Sequence, residues 1–184
     1  MSDVPGPPVA ADADAAEVVI RTAVGDDLDA VLEVGHRTWP GTFEPIAGPE
    51  YVEMGLAKWW TPDAAIPAIR TGRTLVAEVD GHVVGMAVYG THEDDLVLWK
   101  LYVLPEHHSK GIGHRLLETV LARAEELGHH RLSVSVVEGN DRALRFYERH
   151  GFRETGRESG GSGLPDSIWI ARDLGSPDDE EEGA

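Results

Sequence analysis

The 184-residue chain has no cysteine, which excludes a disulfide framework, a thiolate metal site and a cysteine nucleophile. Basic residues are scarce as well. Only 16 Lys and Arg stand against 33 Asp and Glu, and the resulting charge of −17 repels phosphate backbones and speaks against a nucleic-acid partner. Long apolar runs are missing: none approaches the roughly 18 residues of a membrane span. The N-terminus carries neither the basic patch nor the apolar stretch of a signal peptide, so a cytoplasmic protein without a membrane partner is expected. Aromatics are few, at 7%, yet five of them, Trp39, Phe43, Tyr51, Trp59 and Trp60, crowd into one stretch. With 41% apolar and 27% charged side chains, the composition is that of one globular domain with short tails.

The charge is unevenly placed. Residues 1–17 hold four acids and no base among Pro and Ala, and residues 175–184 hold five acids, which suits a disordered leader and a disordered acidic tail. The body between them, 18–174, carries 24 acids and 16 bases. Its first part, 18–99, has 13 acids and 5 bases, whereas 100–174 has 11 of each, so the second part is the better place for an anionic ligand. The acidic tails need no role beyond solubility.

Val18 to Thr22 alternates as an opening strand, and Asp26-Asp27 offers a cap for a helix that should end near Trp39-Pro40. From Glu44 to Arg70 a helical pattern is interrupted by Pro45, Pro49, Pro62 and Pro67, which predicts two short helices joined by turns. Thr74–Val79 and His82–Tyr89 flank Asp80-Gly81, the strongest short-range hairpin signal. A third strand spans Leu96 to Leu104. Leu116, Leu117, Val120, Leu121, Ala124 and Leu127 recur at helical spacing between Ile112 and Gly128. A strand with Leu132, Val134 and Val136 follows, then a helix capped by Asn140-Asp141 and ending at Gly151, then strands over Phe152–Gly156 and Ser167–Arg172.

Between the third strand and its helix lies Glu106-His107-His108-Ser109-Lys110-Gly111-Ile112-Gly113-His114-Arg115. The first amides of a helix have no partner inside it and carry partial positive charge, and glycines let an oxygen-rich group approach closely. A diphosphate suits such a nest, with Lys110 and Arg115 nearby; a tight turn that merely needs glycine dihedrals suits it equally well. No Walker loop is present, because the lysine precedes the glycines, and a Rossmann fingerprint would need a third glycine where Leu116 stands.

The run LWKLYVLPEHHSKGIGHRLLETVLARAEELG resembles the central motif of the GCN5-related N-acetyltransferase (GNAT) family. There Gln or Arg, two residues, then G-x-G or G-x-A hold the diphosphate of acetyl-coenzyme A, and His108-Ser109-Lys110-Gly111-Ile112-Gly113 aligns with that signature, with His108 at the Gln or Arg position. Asn140-Asp141-Arg142-Ala143-Leu144-Arg145-Phe146-Tyr147-Glu148-Arg149-His150-Gly151-Phe152 resembles the family's N-x-x-A-x-x-F-Y-x-x-x-G-F ending. The resemblance covers about 18–174. It implies an α+β, three-layer domain in which a mixed, mostly antiparallel sheet of about seven strands is flanked by about four helices, with a splayed strand pair at the coenzyme site.

The resemblance also implies a mechanism. Backbone groups of Leu101, Tyr102 and Val103 would hold the pantetheine arm and the thioester oxygen, where an amide stabilises the developing oxyanion. The glycine loop from His108 through Ser109, Lys110, Gly111, Ile112 and Gly113 to His114 would hold the diphosphate. Asn140 would fix the coenzyme arm, and Tyr147 would act as general acid towards the departing thiolate. An acceptor amine then attacks directly in a ternary complex, since no cysteine can form an acyl-enzyme. No metal is expected.

A general base cannot be assigned by motif, because Val97 stands where relatives often carry Glu. Glu93, Asp94, Asp95, Glu138 and His36 are candidates that ordinary solvated positions explain as well. Trp39, Phe43, Tyr51, Trp59 and Trp60 with nearby acids would suit a polyamine or another small amino compound through ion pairs and cation–π contact, in preference to a peptide amine. They also suit a plain core. A non-catalytic acyl-coenzyme A sensor and an ATP-binding protein are the competing classes, and a homodimer is left open.

Overall fold

In the computed structural model, residues 17–175 are described; the expected leader and tail lie almost wholly outside them. Seven strands form one sheet: β1 (Val18–Thr22), β2 (Thr74–Val79), β3 (His82–His92), β4 (Asp95–Val103), β5 (Arg131–Val137), β6 (Arg153–Glu158) and β7 (Ser167–Asp173). Their spatial order is β1-β2-β3-β4-β5-β7-β6, and only the β4–β5 pairing is parallel. Four helices accompany the sheet: α1 (Leu28–Trp59), α2 (Pro62–Arg70), α3 (Ile112–Glu126) and α4 (Asp141–Arg149). The expected mixed sheet with flanking helices is what is found.

The hairpin forms at the expected turn, with Asp80 and Gly81 at φ 51° and 79°, the pair of positive values that a type I′ turn demands. At the start of α1, however, Asp27 does not cap the helix with its side chain. Its carboxylate instead accepts from Arg21 Nη1 at 2.7 Å, Arg21 Nη2 at 2.9 Å and the Val24 amide at 2.8 Å, tying the helix to β1. The Arg21 guanidinium holds the Asp27 carboxyl below the usual carboxylate range.

Helix α1 does not end near Trp39-Pro40. It runs on through Pro40 and Pro45 and breaks at Gly48, whose φ of 82° is left-handed. A proline inside a helix removes one donor, but Val31, Val34, Trp39 and Phe43 keep one face of this segment buried in the core. The break falls where glycine can take a positive φ and where Pro49 disfavours helical backbone in the residue before it. Two further glycines allow close packing. A Cβ on Gly35 would run into the Trp60 ring, and one on Gly55 into the Trp39 ring, so these two tryptophans lie directly against helix backbone.

The sheet opens at its centre. β4 pairs with β5 only at Leu96, Val97 and Leu98, whereas β3 follows β4 up to Val103 and β7 follows β5 up to Val137. From Trp99 onward β4 therefore has no strand on its β5 side, and a register shift opposite Val88 and Tyr89 bends it at that point.

Candidate active site

Two cavities meet at this opening. The first, about 790 Å³, lies in front of α3 and beside α4. Leu101, Tyr102, Val103, His108, Ser109, Gly111, Ile112, Gly113, His114, Asn140 and Tyr147 all line it; Lys110 does not. Gly111 precedes α3 with φ 74°, and Ser109 also takes a positive φ, 64°. A left-handed residue just ahead of a helix start is the kind of backbone from which anion nests are built. A Cβ on Gly111 would meet nothing within 4 Å, and one on Gly113 would meet only Phe146 and Val103, from 3.7 Å outward. Space in front of these amides is therefore free for a ligand.

Side chains supply further positive charge. Arg37, Arg142 and Arg149 line the same cavity. His108 holds one of them: its Nδ1 accepts from Arg142 Nη2 at 2.8 Å while its Nε2 donates to the Val103 carbonyl at 2.7 Å. An arginine only donates, so this arrangement assigns His108 the tautomer with its proton on Nε2. His108 thus links β4 to α4 and aims a guanidinium, which the departure from Gln or Arg at this position made hard to foresee. Across the loop, His114 Nδ1 lies 2.9 Å from His150 Nε2, and His150 Nδ1 donates to the Phe146 carbonyl at 2.7 Å.

Asn140 caps α4 through Oδ1, accepting from the Ala143 amide at 3.2 Å, so its side-chain amide NH2 remains for a ligand. Tyr147 is 6% exposed and lines both cavities. Burial, with a smaller contribution from Tyr102, pushes its phenol well above the ordinary value, so it stays protonated.

The second cavity, about 590 Å³, lies on the other side of Tyr102 and Tyr147. Leu101, Tyr102, Asn140, Ala143 and Tyr147 border both. Trp39, Phe43, Tyr51, Trp59 and Trp60 all line this second cavity, and Trp39 packs 4.3 Å from Phe43 and 5.4 Å from Trp59 between ring centroids. They are core and cavity wall at once, so the two readings of the aromatic stretch were not alternatives. The expected acids are elsewhere. No Asp or Glu from residues 18–99 lines either cavity.

None of the candidate bases reaches the opening. Asp95 accepts from Ser133 at 2.9 Å, Glu138 is paired with Arg157 at 2.7 Å, and His36 Nε2 lies 3.0 Å from the Trp60 carbonyl. The charged groups that do line the second cavity are Lys100 and Glu158, neither foreseen. A lysine inside the apolar run Leu96–Leu104 was the available signal for the first; nothing local marks the second.

Comparison with known proteins agrees with this geometry. Residues 33–152 match the model of the Acetyltransferase (GNAT) family. An uncharacterized N-acetyltransferase of Mycobacterium tuberculosis is 33% identical over 139 residues, 71% of this chain and 85% of that protein. A phosphinothricin N-acetyltransferase of Alcaligenes faecalis is 31% identical over 147 residues, 74% and 71% of the two chains. The crystal structure of a PaiA N-acetyltransferase from Thermoplasma acidophilum in complex with coenzyme A superposes with a TM-score of 0.77 at 22% identity, covering 86% of this chain and 99% of that one. With family model, relatives and fold in agreement, the chain belongs to the GNAT family of acetyltransferases.

Proposed function

We propose that the protein transfers the acetyl group of acetyl-coenzyme A directly to the primary amine of a small amino compound within a ternary complex. The observation that carries this reading is the junction of the two cavities at Leu101, Tyr102 and Tyr147. An anion nest on one side and an aromatic chamber on the other give two ligands a common meeting point. The coenzyme supplies a thioester, whose carbonyl carbon bonds to the amine nitrogen as the carbon–sulfur bond breaks. One proton leaves the nitrogen for solvent and one ends on sulfur.

The chain's residues divide this work. The amides of Gly111, Ile112 and Gly113 hold the diphosphate, with Arg142 aimed by His108 alongside and Ser109 and His114 on the rim. Backbone of Leu101 and Tyr102, freed from β5, binds the arm and meets the charge that develops on the carbonyl oxygen; the Val103 carbonyl is already taken by His108. Asn140 orients the arm. Tyr147, neutral at working pH, gives its hydroxyl proton to the leaving sulfur and regains one from the proton that the nitrogen loses on forming the amide, so that it ends the cycle protonated.

Calorimetry with acetyl-coenzyme A and with ATP, followed by thiol release over an amine panel, tests the reading. Binding of the first and amine-dependent thiol release are expected. Coenzyme binding with no turnover would support an acyl-coenzyme A sensor instead, and preferential ATP binding would overturn both.

A further inference from the structure

Among the described residues, Lys100 is the one Lys or Arg that lines the aromatic cavity. Its Nζ donates to the Trp59 carbonyl at 2.6 Å and stands 4.2 Å from the centre of the Trp60 ring. A carbonyl oxygen and an aromatic face both favour an ammonium. Among the described residues no carboxylate lies within ion-pair distance of it. The single carboxylate among the described residues that lines that cavity, Glu158, accepts from Trp169 Nε1 at 3.0 Å.

Three other residues that line the cavity, Trp39, Trp60 and Thr74, bury an indole N–H or a hydroxyl without a hydrogen-bond partner. Buried polar groups are paired in the large majority of cases. An ammonium that lines a cavity and has no counter-ion is a receptor for an oxyanion.

We propose that the acceptor is a carboxylate-bearing primary amine with an apolar body, an amino acid or a close analogue, whose carboxylate pairs with Lys100. This rests on the acetyl transfer proposed above and names the substrate class it serves. Lys100 and Tyr102 sit two residues apart on β4, about 7 Å along the strand. A carboxylate at Lys100 therefore leaves the amine beside Tyr102, where the two cavities join, while the aromatic rings enclose the apolar body. The nearby ammonium also disfavours a second positive charge, which helps the acceptor nitrogen shed its proton. Burial lowers Lys100 to a pKa of about 8, so the ammonium still predominates at neutral pH.

Thiol release from acetyl-coenzyme A by the full chain is measured with L-leucine, L-methionine and L-phenylalanine. Each is paired with the amine that lacks only its carboxylate: isopentylamine, 3-(methylthio)propylamine and phenethylamine. The expected result is a kcat/KM about 10–100-fold higher for the amino acid in at least one pair. In Lys100→Met that ratio should fall to within about threefold. Equal or higher rates with the bare amines overturn the proposal while leaving the transferase reading intact, and so does a ratio that survives in Lys100→Met. Should that variant not fold, wild-type calorimetry with N-acetyl-L-phenylalanine against N-acetylphenethylamine decides, the proposal requiring tighter binding of the first. No thiol release with any of the six compounds, in a protein that binds the coenzyme, overturns the proposal, and the transferase reading falls with it only when the wider amine panel is silent as well.

Discussion

The two cavities share Tyr147 but are built in opposite ways. The first is lined largely by the stretches Leu101–His114 and Asn140–His150. The second is lined by side chains delivered by α1, α2, β2, β3, β4, β5, α4, β6 and β7. A ligand held by backbone can be recognised with few side-chain choices, whereas a chamber walled by side chains changes its preference when any one of them changes. Under the proposed function the first cavity would fix the chemistry and the second would fix what receives it.

The sharpest way to break this division is to fill the nest without disturbing the fold. Gly111→Ala adds a Cβ that meets no protein atom within 4 Å on the cavity wall, at a left-handed φ of 74° that costs roughly 1 kcal/mol. The KM for acetyl-coenzyme A should rise about 100-fold or more while the melting temperature stays within a few degrees; steady-state kinetics and thermal unfolding report both. At the shared boundary, Tyr147→Phe should lower kcat about 10–100-fold with little change in coenzyme affinity. Because the phenol is held above its ordinary pKa, the wild-type rate should show no Tyr147 limb below about pH 10. His108→Leu leaves the Val103 carbonyl and Arg142 without their partner. Coenzyme affinity measured by calorimetry should weaken about tenfold, with kcat changed less.

The smallest effect belongs to the acceptor side and is one of stability. The Lys100 pKa of about 8 lies below the unfolded value of roughly 10.4, so the folded chain penalises the charged form. Between these values the unfolded state binds more protons, and wild-type stability gains as pH rises. Lys100→Met should therefore melt roughly 2–5 °C higher than wild type at pH 7, with the difference shrinking towards pH 10. A difference independent of pH would remove charge burial as its cause.

The same contrast explains how much could be read before the fold was known. The glycine loop, the Asn140 cap and the Asp80-Gly81 hairpin are local: a few adjacent residues decide each backbone conformation, and each lies where the sequence puts it. The end of the first helix was misjudged because Pro40 and Pro45 lower helix propensity locally, while burial of Trp39 and Phe43 by distant strands outweighs it. Asp27 looks like a cap until Arg21, six residues earlier on β1, claims its carboxylate. The acceptor chamber was legible only as an aromatic cluster. The acids expected around it do not line it, because counting acids along 18–99 cannot say which face they occupy; Lys100 of β4 and Glu158 of β6 line it instead.

With the diphosphate on the amides in front of α3, the thioester should lie beside Tyr147. A crystal structure of the protein with coenzyme A tests it directly. The expected result is diphosphate oxygens within hydrogen-bond distance of the Gly111–Gly113 amides and of Arg142, with sulfur near the Tyr147 hydroxyl. Diphosphate bound elsewhere, or a nest closed by side chains with the sulfur remote from Tyr147, would contradict it.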